Sequence, residues 1–93
     1  MDNKIAILAI VVHYKTEDNI DQINGLLHDY QSIIVGRMGI PYREKGLSLI
    51  SVIVDGRENE VNSLSGKLGM VPNVTVKTSY ANTKNEKTSD KDC

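Results

Sequence analysis

Cysteine occurs once in this chain, as the last residue, Cys93, and phenylalanine and tryptophan do not occur at all. A single thiol excludes an intramolecular disulfide and a thiolate metal cluster within one chain. Without a disulfide framework, a reducing, cytoplasmic compartment is the simplest expectation. Four tyrosines are the whole aromatic complement, so the core has to be built from Ile, Leu and Val. An excess of one charge is missing too: eleven Lys and Arg stand against twelve Asp and Glu, a formal net charge of −1. That balance offers no global attraction to phosphate backbones or anionic membranes, and nucleic-acid binding would need a local basic patch gathered by a partner subunit. The longest apolar run, Ile5 to Val12, is eight residues, far below the ~20 that span a bilayer. No small-residue cleavage site follows it, so neither a membrane segment nor an export signal is read.

What the chain does have is a regular order of apolar segments. Ile5 to Val12 is continuous and rich in β-branched residues, which predicts a strand covered on both faces. Thr16 precedes Glu17 and Asp18, an N-cap with acids in the first turn. Ile20, Ile23, Leu27 and Tyr30 then recur at helical spacing, predicting an amphipathic helix that ends near Tyr30. Ile33 to Ile40 is a second strand, carrying Gly36, Arg37 and Gly39 and closed by Pro41, a composition suited to a sheet edge. After the polar turn Tyr42 to Gly46, Leu47 to Val54 alternates Leu47, Leu49 and Ile53 on one face with Ile50, Val52 and Val54 on the other. Asp55 with Glu58 predicts the cap of a second helix, Val61, Leu64 and Leu68 form its apolar stripe, and Gly69 is its expected stop. Pro72-Asn73 leads into Val74 to Tyr80, an alternating edge strand. From Ala81 the chain is polar and charged to Cys93 and is expected to be disordered. The domain is thus residues 1–80 and the tail 81–93.

This order is that of the split βαβ unit, an α+β ferredoxin-like βαββαβ sandwich. Its right-handed crossovers give an antiparallel sheet of order 4-1-3-2 with both helices on one face. The strands predicted central are apolar on both faces, and the strands predicted at the edges are not. With the helices on one side, the other side of the central strands is left aliphatic and bare, which marks an interface. A chain of this length buries only roughly 60–65% of its unfolded surface, so a homo-oligomer is expected, a dimer or a dimer of dimers.

Two stretches carry a resemblance: Ile33-Ile34-Val35-Gly36-Arg37-Met38-Gly39-Ile40-Pro41-Tyr42-Arg43-Glu44-Lys45-Gly46 and Leu64-Ser65-Gly66-Lys67-Leu68-Gly69. With the element order they resemble the iron-only hydrogenase system regulators, grouped with ACT-like domains and with the C-terminal domain of the nickel-responsive repressor. The similarity runs from Lys4 to about Tyr80. It implies an oligomer of ferredoxin-like fold, a regulatory role beside the maturation machinery of [FeFe]-hydrogenase, no catalytic residues and no cofactor. The turn after the first strand is His13-Tyr14-Lys15-Thr16, where ACT domains that bind amino acids have a Gly-containing turn, so the usual amino-acid site is not expected. Nor is a counterpart of the repressor's DNA-reading ribbon-helix-helix expected, since the first strand begins by Ile5.

Candidate residues are few. His13 and His28 invite a metal reading, but a site needs a third and usually a fourth ligand, and the ordered region supplies no Cys and no further His. His28 is better read as complementing a helix C-terminus. Ser48, Ser51, Ser63 and Ser65 have no His and acid in a familiar motif, so no enzyme is expected. The central strands carry no aromatic platform for RNA bases. Gly25 and Gly66 interrupt helices, and close packing is their expected cause. Arg37, Tyr42 and Arg43, with room left by Gly36 and Gly39, are the groups most able to orient an anionic ligand at a subunit boundary. Against this stands a purely structural reading of the same residues, a protected edge and a hairpin. The functional expectation is a binding and regulatory module that takes a small anionic ligand or a protein partner. The alternatives are a scaffold for oligomerisation or a DNA-binding transcriptional regulator acting through Arg37, Arg43, Lys45 and Lys67 gathered in an oligomer.

Because the segment after Tyr80 has almost nothing to bury, a chain ending at Tyr80 should melt within a few degrees of the full chain and scatter light as the same assembly. A large fall in melting temperature would show that the tail docks.

Overall fold

The computed structural model describes residues 3–81. The tail expected to be disordered therefore lies, apart from Ala81, outside the described residues. Strand β1 is Asn3–Val12, α1 Glu17–Asp29, β2 Ile34–Tyr42, β3 Leu47–Arg57, α2 Glu58–Gly69 and β4 Val74–Tyr80. Short 3-10 turns, Gln31–Ile33 and Arg43–Lys45, flank β2. The strands form one antiparallel sheet in the order β2-β3-β1-β4, which is the 4-1-3-2 order expected from the sequence seen from the other edge. The fold is the ferredoxin-like sandwich.

Strand parity sorts the aliphatics. Ala6, Leu8, Ile10 and Val12 of β1 and Val52 and Val54 of β3 are fully buried beneath the helices. Ile23 and Leu27 of α1 and Val61, Leu64 and Leu68 of α2 close over them. Each fully buried side chain of this size contributes about 1.5–3 kcal/mol relative to exposure, so this single layer carries the domain.

Thr16 caps α1 as expected, but its reciprocal partner is Asn19. The Thr16 hydroxyl accepts from the Asn19 N–H at 3.0 Å and the Asn19 Oδ1 accepts from the Thr16 N–H at 2.9 Å. Asn19 is itself buried, and its Nδ2 donates to the carbonyls of Tyr14, at 2.8 Å, and Pro72, at 3.2 Å. One side chain therefore ties the β1–α1 turn to the turn that precedes β4. Beside it the His13 N–H donates to the Asn73 carbonyl at 2.7 Å, with Asn73 in the left-handed region at φ 66°.

Three local expectations are corrected. The cap of α2 is not formed by Asp55 with Glu58. Strand β3 stays in the ladder, with Asp55 opposite Ile5 and Arg57 opposite Asn3, and the Glu60 carboxylate instead accepts from the Arg57 N–H at 2.9 Å. The length of β1 decides this, since each paired residue satisfies backbone groups that a helix start would leave open. Gly69 is the last helical residue rather than a left-handed stop, and Met70 caps in a right-handed conformation. Pro72 disfavours helical geometry just beyond it. Pro41 does not close β2 but pairs with Ser48 inside it, tolerated because β2 is an edge strand. At the far end of the sheet the Ala81 N–H donates to the Ile5 carbonyl at 2.8 Å, one residue past the boundary drawn from the sequence.

The glycines separate by what surrounds them. A Cβ on Gly56 would lie 2.8 Å from Ile33 Cγ2 and 3.0 Å from Ile33 Cβ, whereas one on Gly25 or Gly66 would meet nothing within 4 Å. Close packing therefore explains Gly56, which the sequence did not single out, and not the two helical glycines. Gly56→Ala should lower stability in urea by about 1–3 kcal/mol through overpacking. Gly25→Ala and Gly66→Ala should each raise it by up to about 1 kcal/mol through helix propensity. Equal losses at all three would mean that the helices press on something the single chain does not contain.

Candidate functional site

The side of the sheet away from the helices is an aliphatic surface. Ile5 and Ile7 of β1, Leu49 and Ile53 of β3, and Met38 and Ile40 of β2 stand on it with exposures from 38% to 62%. Cross-strand register sets them in rows, Ile7 beside Ile53, and Val11 beside Leu49 beside Ile40. Between the rows Ala9, Val11, Met38, Ile40 and Leu49 surround a shallow hollow of about 190 Å³. Asp55 and Arg57 fall at one end of this face and Lys77 of the edge strand stands beside Ala9, so the uncharged area is the part of β1, β3 and β2 from the Ile7 row to the Val11 row. At the other end the His13 Nε2 lies 2.9 Å from the Thr75 hydroxyl.

The helix side holds a second feature, at the edge where α1 stops short of β2. Arg37 is on this side, its Nη2 donating to Asn24 Oδ1 of α1 at 3.3 Å. Two hollows adjoin here and share Asn24 and Arg37. One, of about 260 Å³, has walls of Ile20, Ile23 and Ile50, a base of Gly39 and Pro41, and Lys15 and Ser48 as further polar groups. The other, of about 450 Å³, adds His28 and Gln31. No acidic side chain among the described residues lines either one.

The residues proposed from the sequence are therefore divided. Arg37 and Gly39 come together in the cleft between α1 and β2. Tyr42 lies opposite Leu47 on the side of the open face, and Gly36 sits opposite Ile53 just after a bulge in β2. Arg43 lines a neighbouring hollow of about 300 Å³ with Tyr14, Gly46 and Leu47, which shares Lys15 and Pro41 with the hollow of about 260 Å³ but does not include Arg37. The two-residue period of a strand puts positions 37 and 42 on opposite faces, so Arg37 and Tyr42 do not converge within one chain. Lys15, Asn24 and Ser48 were not anticipated. The signal for Asn24 was its place on the Ile20, Asn24, His28 line of α1, beside the buried stripe and toward the edge strand.

His13, on the open-face side, and His28, in the last turn of α1, are not brought together. Among the described residues no three His, Cys, Asp or Glu gather as metal ligands. No helix among them is long and apolar enough to cross a membrane.

The geometry defines an ACT-like domain of ferredoxin-like fold with an uncovered sheet. A family model described as TM1266-like, iron-only hydrogenase system regulator, matches residues 4–78, and the chain belongs to that family. The solved structure of the protein TM1266 from Thermotoga maritima is 34% identical with a TM-score of 0.84, over 87% of this chain and all of that one. The ACT domain from GTP pyrophosphokinase of Chlorobium tepidum is similar in fold, with a TM-score of 0.69 at 20% identity over 82% of this chain and 97% of that one. So is the C-terminal domain of the MgtC protein from Mycobacterium tuberculosis, with a TM-score of 0.64 at 9% identity over 89% and 93%. No curated protein matches the chain.

A further hollow, of about 520 Å³, runs between the helices beside Gly25, Leu26, Lys67 and Met70. At its side the Lys67 ammonium lies 5.2 Å from the centre of the Tyr30 ring, and the Tyr30 and Ser63 hydroxyls are 2.8 Å apart. Lys67 first, then Ser63, hold the Tyr30 hydroxyl below the usual tyrosine range, and Tyr30 in turn raises the Lys67 ammonium. Tyr80 moves the other way, raised by burial and then by the charge of Glu58, with its hydroxyl donating to Asn62 Oδ1 at 2.7 Å. In a spectrophotometric titration, the difference between the wild type and Tyr30→Phe should show a phenolate forming below the ordinary value of about 10. Lys67→Met should move that transition upward. No movement would mean that the ammonium does not act on Tyr30.

Proposed function

We propose that this chain is a non-catalytic regulatory module of the iron-only hydrogenase system that works as an oligomer through the open face of its sheet. The carrying observation is that face itself. Aliphatic side chains from three adjacent strands stand exposed side by side, bordered by Asp55 and Arg57 at one end and by Lys77 on the edge strand. Monomeric proteins rarely leave a contiguous apolar patch of this kind facing water. Self-association through this face leaves the ladder intact, because the backbone hydrogen bonds of β1 and β3 lie in the plane of the sheet. The closed symmetry of most homo-oligomers favours a dimer, or a dimer of dimers. The regulatory part of the reading rests on the family description.

Light scattering at micromolar concentration should give a multiple of the 10.3 kDa chain mass. Ile7→Lys places a charge at the centre of the face without touching the helix-covered core, and it should yield a folded monomer with an unchanged circular dichroism spectrum. A wild-type chain that is folded and monomeric under these conditions would overturn the proposal.

A further inference from the structure

We propose that the cleft between α1 and the inner side of β2 binds a small aliphatic carboxylate that carries no ammonium group, with the carboxylate on Arg37 and the apolar body against Ile20, Ile23 and Ile50. This rests on reading the chain as a binding module, and it adds a ligand that the open face does not supply. The cleft has the parts such a ligand needs. Arg37 is anchored at one side by its bond to Asn24 Oδ1, which leaves the rest of its planar fork of donors free for a carboxylate. Lys15 adds a second cation, and the hydroxyl of the buried Ser48 and the amide of Asn24 are further hydrogen-bonding groups. Between them the surface is apolar.

Size and charge narrow the ligand. The volume of about 260 Å³ lies just below the usual range of roughly 300–1,000 Å³ for ligand pockets, which suits a short-chain acid held in this hollow alone. The absence of any acidic lining residue among those described removes a partner for an ammonium, and Arg37 and Lys15 would repel one. A zwitterionic amino acid is therefore disfavoured for the same reason that a simple carboxylate is favoured. Gly39 accounts for the space. A Cβ there would meet only Ile50 Cγ1, at 3.8 Å, so the residue is not forced by packing, while any longer side chain on the helix side of β2 would project into the cleft.

The test is a titration of the full ¹⁵N-labelled chain, at constant ionic strength, with four probes followed by amide chemical shifts. Isovalerate has both head and body, L-valine adds an ammonium to the same body, isovaleramide removes the charge, and inorganic phosphate removes the body. Isovalerate should give saturable shifts at Asn24, Arg37 and Gly39, with each of the other probes weaker by about tenfold or more. Arg37→Gln should weaken isovalerate by a similar factor, and Gly39→Leu should abolish its binding by filling the cleft. Should Gly39→Leu fail to fold, Arg37→Gln still decides, because its side chain stands at the surface. Valine, isovaleramide or phosphate binding as well as isovalerate would overturn the proposal, as would an Arg37→Gln chain that titrates like the wild type. Light scattering on the same samples keeps the two proposals apart. A monomer that binds isovalerate refutes only the oligomer, and an oligomer that shows no saturable shift refutes only the cleft.

Discussion

The antiparallel pairing of β1 with β3 over the whole of β1, from Asn3 opposite Arg57 to Val12 opposite Ser48, is the constraint on which the rest depends. It sets two long aliphatic strands side by side in the middle of the sheet and divides their side chains between two faces by parity. Only one face has helices to cover it. Ala6, Leu8, Ile10 and Val12 are buried at no more than 1% exposure, while Ile5 and Ile7, their neighbours in the chain, stand at 38% and 46%. The same pairing keeps β3 extended through Asp55 and Gly56, which moves the start of α2 and brings Gly56 against Ile33. Core, exposed face and helix start are thus three results of one register.

The edges do different work from the centre. At β2 the sheet extends beyond the cover of α1, and a cleft results because Gly39 and Pro41 present little bulk on the helix side where a central strand would present Val or Ile. Arg37 crosses that gap to Asn24. Polar groups are therefore concentrated where helix and sheet separate, and apolar groups where no helix reaches. At the opposite end, Asn19 joins the turns before α1 and before β4 with hydrogen bonds to Thr16, Tyr14 and Pro72. A buried amide satisfied on both ends in this way fixes loop geometry as firmly as packing would. It stands in the first turn of α1, directly after the turn His13 to Thr16.

Much of this was legible in the residues. Continuous β-branched runs at Ile5 to Val12 and Leu47 to Val54 marked central strands, and glycine, arginine and proline in Ile33 to Pro41 marked an edge. Helical spacing of Ile20, Ile23 and Leu27, and of Val61, Leu64 and Leu68, then left one topology. The site was less legible. Arg37, Tyr42 and Arg43 are close in sequence, yet Arg37 turns to the helices and Tyr42 to the open face. Proximity along a strand separates side chains as readily as it joins them. Lys15, Asn24 and Ser48 come from a turn, a helix and a different strand, and no local pattern relates them.

The sequence by itself determined the order of elements, the sheet topology and the existence of an aliphatic face without a cover, because each follows from the period of the apolar residues and from short, right-handed connections. Only the tertiary structure decided where strands end and which polar groups meet. Strand ends depend on whether a partner residue is present to complete the ladder, as Asn3 and Ile5 are for Arg57 and Asp55. The meeting of Arg37 with Asn24 depends on the distance between a helix and a sheet edge, a quantity set by the packing of the whole core and carried by no segment alone.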